Sequence, residues 1–183
     1  MKTRILLLAL TISICFGCTA PKFYTELIST YPSGKKDDYV MNSSISPHKL
    51  VLNALKDKLQ NTAHIIYHYA PNPEWDSKEF SGVVYDVEND KYYYFENSKE
   101  HPRKLSVSEN YQHPDDNYYK FVIDNFRKGK IDYLKKLGEI SNLSGYTAHE
   151  AIYDIDLKNG TNKRYTFGDF LFMNGKPTKD VNK

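Results

Sequence analysis

The chain has 183 residues, of which 26% are charged and 40% are hydrophobic, and its formal net charge is +2. A chain of this length and composition can bury the core of one globular domain. The composition excludes a disordered chain, a collagen and a protein with several membrane-spanning helices. The small net charge excludes the strongly basic surface of many nucleic-acid-binding proteins, so no nucleic-acid partner is expected.

The start of the chain has the layout of an export signal. Lys2 and Arg4 precede an uncharged run over residues 5–16, which is shorter than the about 20 residues that a membrane-spanning helix needs. The segment ends in Cys15-Phe16-Gly17-Cys18, which resembles the lipobox of bacterial lipoproteins. The resemblance implies that residues 1–17 are a signal peptide that is removed, and that Cys18 becomes the lipidated N-terminus.

Cleavage after Ala20 is the alternative, and it predicts a secreted soluble protein. Cysteine usage favours lipidation, because Cys15 and Cys18 are the only cysteines and cleavage before Cys18 leaves one thiol without a disulfide partner. We therefore expect a lipid on Cys18 to hold the protein at a membrane of the cell envelope, facing the periplasm or the exterior. Removal of residues 1–17 leaves 23 basic and 23 acidic side chains, so net charge does not select a partner.

Residues 18–45 are expected to be the lipidated cysteine and a tether. Turn-forming and charged residues at 32–38 indicate a solvated spacer, while the helical spacing of apolar residues from Phe23 to Tyr31 allows a short helix. The folded domain is predicted over residues 46–174. Its first helix begins at Ser46-Pro47, a cap followed by a proline in the first turn, and its apolar stripe contains Val51, Leu55 and Leu59.

The elements that follow alternate between strand and helix patterns. A strand over residues 64–69 ends before Pro71, and strands over 80–87 and 91–96 form a hairpin. Two amphipathic helices follow, and a second hairpin turns at Asn159-Gly160. A polar tail is expected over residues 175–183. This order indicates an α+β fold, with a mostly antiparallel sheet built from two hairpins and an additional strand, and two or three helices packed on one face.

No sequence motif fixes a catalytic or metal site. His64 and His68 share one face of a strand but lie about 13 Å apart there, too far to bind one metal ion. The segment from Asp154 to Gly160 is similar to a calcium loop in its first two acids only, since Lys158 stands where a third oxygen ligand is needed. No metal or cofactor is predicted, and a non-catalytic protein is favoured. An exported hydrolase stays an alternative, because a catalytic set assembled from distant residues leaves no local motif.

Aromatic residues provide the candidate binding surface. The chain has 16 Tyr, and tyrosine is favoured at recognition surfaces. We predict a platform for a sugar ring or a protein partner, formed by Tyr92, Tyr94, Trp75 and Tyr69; alternatively, these residues fill the half-buried rim of the sheet. The expected function is non-catalytic binding of an envelope protein or glycan. A structural or protective accessory, such as an assembly subunit or an immunity-type protein, is the alternative.

Overall fold

The computed structural model describes residues 22–31, 39–72, 78–110, 116–141 and 149–179, with side chains except at 39–46, 116 and 149. The described helices are α1 (Lys22–Ser29), α2 (Tyr39–Ala54), α3 (Asp116–Arg127) and α4 (Ile131–Ser141). The described strands are β1 (His64–Pro71), β2 (Phe80–Asp86), β3 (Lys91–Asn97), β4 (Leu105–Ser108), β5 (His149–Asp156), β6 (Thr161–Gly168), β7 (Phe172–Met173) and β8 (Lys176–Pro177).

Six strands form one antiparallel sheet in the order β4-β3-β2-β1-β5-β6. The hairpins β2–β3 and β5–β6 flank β1, which pairs with both of them. This confirms the α+β fold with a mostly antiparallel sheet built from two hairpins and an additional strand. Strand β4 was not predicted. Its polar serines alternate with Leu105 and Val107 over four residues only, which is a weak strand signal.

The two faces of the sheet carry separate apolar cores. On the first face, Tyr67, Tyr153 and their neighbours pack against α1 and α2. On the second face, Ile66, Ile152 and their neighbours pack against α3 and α4. The helices therefore cover both faces instead of the one face that we predicted. The physical reason is that successive side chains of a strand point to opposite faces, and both sets are apolar in the central strands.

The folded body begins earlier than the predicted boundary at residue 46. Phe23 and Leu27 of α1 are buried in the first-face core, so α1 belongs to the domain and not to the expected tether over 18–45. Helix α2 begins at Tyr39 and contains Pro47 in its interior, so the prediction that the helix begins at Ser46-Pro47 is wrong. At the other terminus, β8 pairs with β7 inside the segment that we expected to be a polar tail.

The two ends of the sheet are built differently. The turn end carries the start of β1 and the turns 87–90 and 157–160, and α1 begins there, because the Lys22 ammonium group donates to the Thr62 carbonyl. The far end carries the C-terminal ends of β1 and β6, the C-terminus of α4 and the β7–β8 hairpin. Gly138 of α4 packs so tightly on Gly168 that an added Cβ atom would lie 2.5 Å from the Gly168 carbonyl oxygen.

Candidate functional site: an exposed apolar corner

The four residues of the predicted aromatic platform do not share one surface. Tyr69 is buried in the first-face core and Tyr94 in the second-face core, on opposite sides of the sheet. Tyr92 lies beside Tyr94, with parallel rings whose centroids are 6.1 Å apart. Trp75 and the predicted lipidation site Cys18 lie outside the described residues. The part of the prediction that the structure brings together is therefore the pair Tyr92 and Tyr94.

The half-buried Tyr92 lies in a row of aromatic rings with Tyr85 and Tyr94, and side chains of α3 cover it. Its ring centroid is 4.7 Å from that of Tyr85, and the Lys120 ammonium group lies 4.7 Å from the same centroid. The Tyr92 hydroxyl donates to Asp124 at 2.9 Å, and burial raises the pKa of this phenol. Arg127 lies 4.3 Å from the Tyr85 ring centroid. Since cations and neighbouring rings contact these aromatic faces, the row acts as packing between β3 and α3.

On the first face, Tyr69 is one of several tyrosines that pack around the buried His48. The ring centroids of His48 and Tyr69 are 4.4 Å apart, His48 Nδ1 is 2.7 Å from the Tyr67 hydroxyl, and His48 Nε2 is 3.3 Å from the Tyr153 hydroxyl. Burial, followed by the positive charge of Arg164, lowers the pKa of His48 to about 3. This imidazole is therefore neutral at physiological pH, and both of its nitrogens are used inside the core.

The two histidines of β1 lie on the second face, and each pairs with a carboxylate of β5. His64 Nε2 is 2.8 Å from Asp154, and His68 Nε2 is 2.5 Å from Glu150, which also accepts a hydrogen bond of 2.7 Å from the Tyr118 hydroxyl. His68 is fully buried beneath α3. A histidine, a carboxylate and a phenol thus converge, and the His68 and Glu150 side chains of this group are buried in the core.

The acidic residues at the turn end serve the turns. Asp156 accepts the backbone N–H groups of Lys158 and Asn159, both at 2.9 Å, so the segment similar to a calcium loop is a hairpin turn. Asp86 accepts the backbone N–H groups of Glu88 and Asn89 in the same way, both at 3.1 Å. Within the described part of the chain, no three His, Cys, Asp or Glu side chains are grouped so that they could hold a metal ion.

Exposed apolar side chains concentrate at the far end. Among the described residues, three large hydrophobic side chains are exposed: Ile140 (40%), Leu171 (53%) and Met173 (63%). The Thr178 N–H donates to the Leu171 carbonyl at 2.9 Å, and the Lys179 ammonium group donates to the Ile140 carbonyl at 3.0 Å. The first bond closes the β7–β8 hairpin, and the second ties the segment after β8 to the end of α4. We call Ile140, Leu171 and Met173 the apolar corner.

The apolar corner rests on a packed aromatic base and has lysines beside it. Phe170 contacts Tyr118 with ring centroids 5.0 Å apart, and Phe172 contacts Phe121 with centroids 5.1 Å apart. Lys176 pairs with Met173 across the β7–β8 ladder, and Lys136 precedes Ile140 by one helical turn. The sequence does carry a signal for this surface. The run Phe170-Leu171-Phe172-Met173 is apolar at four successive positions, so a strand that buries one alternate pair must expose the other.

The comparisons with known proteins give no further assignment. No protein-family model, no curated protein and no solved structure matches the chain. Among the residues that the structure describes, no helix combines the length and the apolar character needed to cross a membrane.

Proposed function

We propose that the protein is a lipid-anchored, non-catalytic binding protein of the cell envelope whose apolar corner binds another protein. The observation that carries the proposal is the concentration of the exposed large hydrophobic side chains of the described chain at one corner. Leucine and methionine side chains supported by a rigid aromatic base form a surface that a protein partner desolvates well. The lysines around it supply a polar rim.

A protein partner is favoured over a glycan because the described aromatic rings of the predicted platform are buried or covered by other side chains. A sugar binds an aromatic side chain through an open ring face, whereas Tyr69 and Tyr94 are buried. The ring of Tyr92 is contacted by Tyr85 and by the Lys120 ammonium group. The apolar corner needs no rearrangement to become a contact surface, because its side chains are already exposed.

The position of α1 relates the apolar corner to the proposed anchor. Only Thr19, Ala20 and Pro21 separate Cys18 from Lys22, so the lipidated residue lies within about 14 Å of the start of α1. Helix α1 begins at the turn end, and an eight-residue strand such as β6 separates the two ends by about 23 Å. An anchored protein would therefore hold its turn end toward the membrane and present the apolar corner away from it.

The anchor is tested by replacing Cys18 with Ala. We expect the wild-type protein to partition into detergent and the Cys18→Ala protein to stay in the aqueous phase, because the acyl chains supply the membrane affinity. Metabolic labelling with palmitate should mark the wild-type protein only. Equal partitioning and equal labelling of both proteins would refute lipidation at Cys18.

The binding surface is tested by purification from detergent extracts of cells that make the protein. A stoichiometric protein partner should accompany the wild-type chain and should be lost from the double variant Leu171→Ser, Met173→Ser. The matched control is Lys158→Ser, an exposed substitution in the β5–β6 turn at the opposite end. Retention of the same partner by the double variant would contradict a role of the apolar corner.

A further inference from the structure

The two outer edges of the main sheet differ in length and charge. Strand β4, at one edge, has four residues and no charged side chain. Strand β6, at the other edge, has eight residues and contains Lys163 and Arg164 without an acidic residue. Proteins commonly keep edge strands short, because an unpaired edge is a template for a further strand. The long edge therefore offers the longer backbone template for a partner strand.

The hydrogen bonds of the sheet show which backbone groups β6 directs outward. The Leu157 N–H donates to the Ala63 carbonyl. The backbone N–H and C=O groups of odd-numbered β5 residues therefore point toward β1, and those of even-numbered β5 residues point toward β6. The even-numbered β5 residues pair with Thr161, Lys163, Tyr165 and Phe167. The backbone N–H and C=O groups of Asn162, Arg164 and Thr166 consequently point away from the sheet. Within the described part of the chain, these groups have no backbone partner.

The charge of the edge selects among strands that could pair with it. Lys163 is exposed, and neither it nor Arg164 forms an ion pair with a described residue. The Arg164 guanidinium group lies 5.1 Å from the Tyr31 ring centroid, and its buried Nε atom makes no hydrogen bond in the described structure. Like charges on paired strands are destabilising and opposite charges are stabilising. Two copies of β6 are thus poorly matched to each other, whereas an acidic strand is well matched.

We propose that β6 accepts an extended, acidic segment of the partner protein as a seventh strand of the sheet. The inference deepens the proposed protein binding and rests on it. Strand β6 ends at Gly168, three residues before Leu171 in the sequence, so an added strand would end beside the segment that leads to the apolar corner. Backbone pairing along β6 supplies affinity, and the exposed Lys163 supplies selectivity for acidic side chains on its face of the sheet. Apolar residues that follow the acidic segment would then cover Leu171 and Met173.

The test uses the full chain in detergent and a capped peptide that alternates valine and glutamate, with hydrogen exchange measured for individual amides. The peptide should slow exchange at Asn162, Arg164 and Thr166, whose N–H groups point outward. Exchange at Lys163 and Tyr165 should stay unchanged, because their amides already face β5. The matching peptide with lysine in place of glutamate should have no effect. Equal slowing along β6, no slowing, or equal binding of both peptides would overturn strand addition.

A pair of variants separates backbone pairing from side-chain contact. Thr166→Pro removes an outward N–H group and leaves the ladder to β5 intact, whereas Thr166→Ala keeps that group. We expect Thr166→Pro to weaken peptide binding roughly tenfold, since a backbone hydrogen bond is lost and its carbonyl partner is left unpaired, and Thr166→Ala to bind as the wild type does. Unchanged slow exchange at Lys163 and Tyr165 shows that the proline variant is folded. Equal binding by the two variants would contradict the proposal.

Two further outcomes distinguish this inference from the proposed function. If Leu171→Ser with Met173→Ser releases the cellular partner while Thr166→Pro retains it, the apolar corner binds the partner and the β6 edge does not. If the protein sediments as a dimer that Thr166→Pro dissociates, the occupant of the edge is a second copy of the chain, and the acidic-segment proposal is overturned. Release of the partner by both variants, from a protein that sediments as a monomer, supports the proposal.

Discussion

The turn end and the far end of the sheet use their residues in opposite ways. At the turn end, Asp86 and Asp156 each accept two backbone N–H groups of the turn that follows, so the polar groups satisfy one another. At the far end, Gly138 and Gly168 bring α4 and β6 into close backbone contact, while Leu171 and Met173 stay exposed. Most of the described tyrosines pack inside the core, so the apolar surface left in water supports the proposed binding surface more strongly than the abundance of tyrosine does.

The largest effect is expected from Gly138→Ala at the far end. The added Cβ atom would lie 2.5, 2.8 and 2.9 Å from backbone atoms of Gly168, so α4 or β6 must move. We expect the free energy of unfolding to fall by about 3 kcal/mol, because overpacking outweighs the about 1 kcal/mol gain in helix propensity. Urea denaturation measures the loss.

Gly160→Ala at the turn end is the matched control. Gly160 has φ of 65° and nothing within 4 Å of an added Cβ atom, so only the backbone conformation opposes the substitution. A loss of about 1 kcal/mol is expected there. If Gly160→Ala lowers the free energy of unfolding as much as Gly138→Ala does, the close contact of α4 with β6 does not limit the size of residue 138.

The next largest effect is a difference in stability between variants of the two aspartates at the turn end. Asp86 is fully buried and also accepts a hydrogen bond of 2.7 Å from the Thr62 hydroxyl, whereas Asp156 faces His64 of β1 at 4.0 Å, beyond hydrogen-bond distance. Asp86→Ala should lower the free energy of unfolding by about 2.5 kcal/mol, since the buried donors around it lose their acceptor, and Asp156→Ala by about 1 kcal/mol. Chemical denaturation of the two variants checks the difference. Equal losses would show that the Thr62 contact adds nothing.

A smaller effect concerns pH and the core between the two ends. The pKa of His48 is about 3 in the folded protein against 6.5 for an unperturbed histidine, so the unfolded chain binds a proton first. Stability is therefore full above pH 6.5 and declines as the pH falls toward 3. Between pH 7 and pH 5, the wild type should lose about 2 kcal/mol more than His48→Asn, at about 1.4 kcal/mol per pH unit. Denaturation curves at both pH values measure this. Equal losses would mean that His48 takes up its proton in the folded state.

The smallest effect on stability is expected at the apolar corner. Leu171→Ser and Met173→Ser replace exposed side chains, so the free energy of unfolding should change by less than about 0.5 kcal/mol. Thermal unfolding of the double variant provides the measurement. A loss several times larger would show that these side chains stabilise the fold, and would remove the reason to regard them as a binding surface.

Local patterns in the sequence were sufficient for most elements and for the sheet. The period of two in β1 and β5 and the turn residues Asn159 and Gly160 have direct local causes, and the hairpins follow from them. The distribution of helices over both faces was not predicted, because it depends on how α1 and α2 pack against residues far along the chain. Phe23 and Leu27 carry the helical spacing, but only the tertiary contact shows that they are core residues.

The candidate site was less predictable than the fold. The proximity of Tyr92 and Tyr94 follows from the strand pattern, since alternate residues of a strand share one face. The coverage of Tyr92 by Lys120 and Asp124 depends on α3, which lies some 30 residues later in the chain. The apolar corner was missed because an exposed leucine and a buried one look the same in a hydrophobic run. The surplus of apolar residues at 170–173 was the available signal.

Photocrosslinking in intact cells tests the central claim most directly. A photoreactive phenylalanine derivative is placed at Met173 in one strain and at Lys158 in another, so that one probe lies at each end of the sheet. We predict that irradiation links the protein with the Met173 probe to one abundant protein partner, and that the Lys158 probe yields no such product. Crosslinks of equal yield to the same partner from both positions, or from Lys158 alone, would contradict binding through the apolar corner.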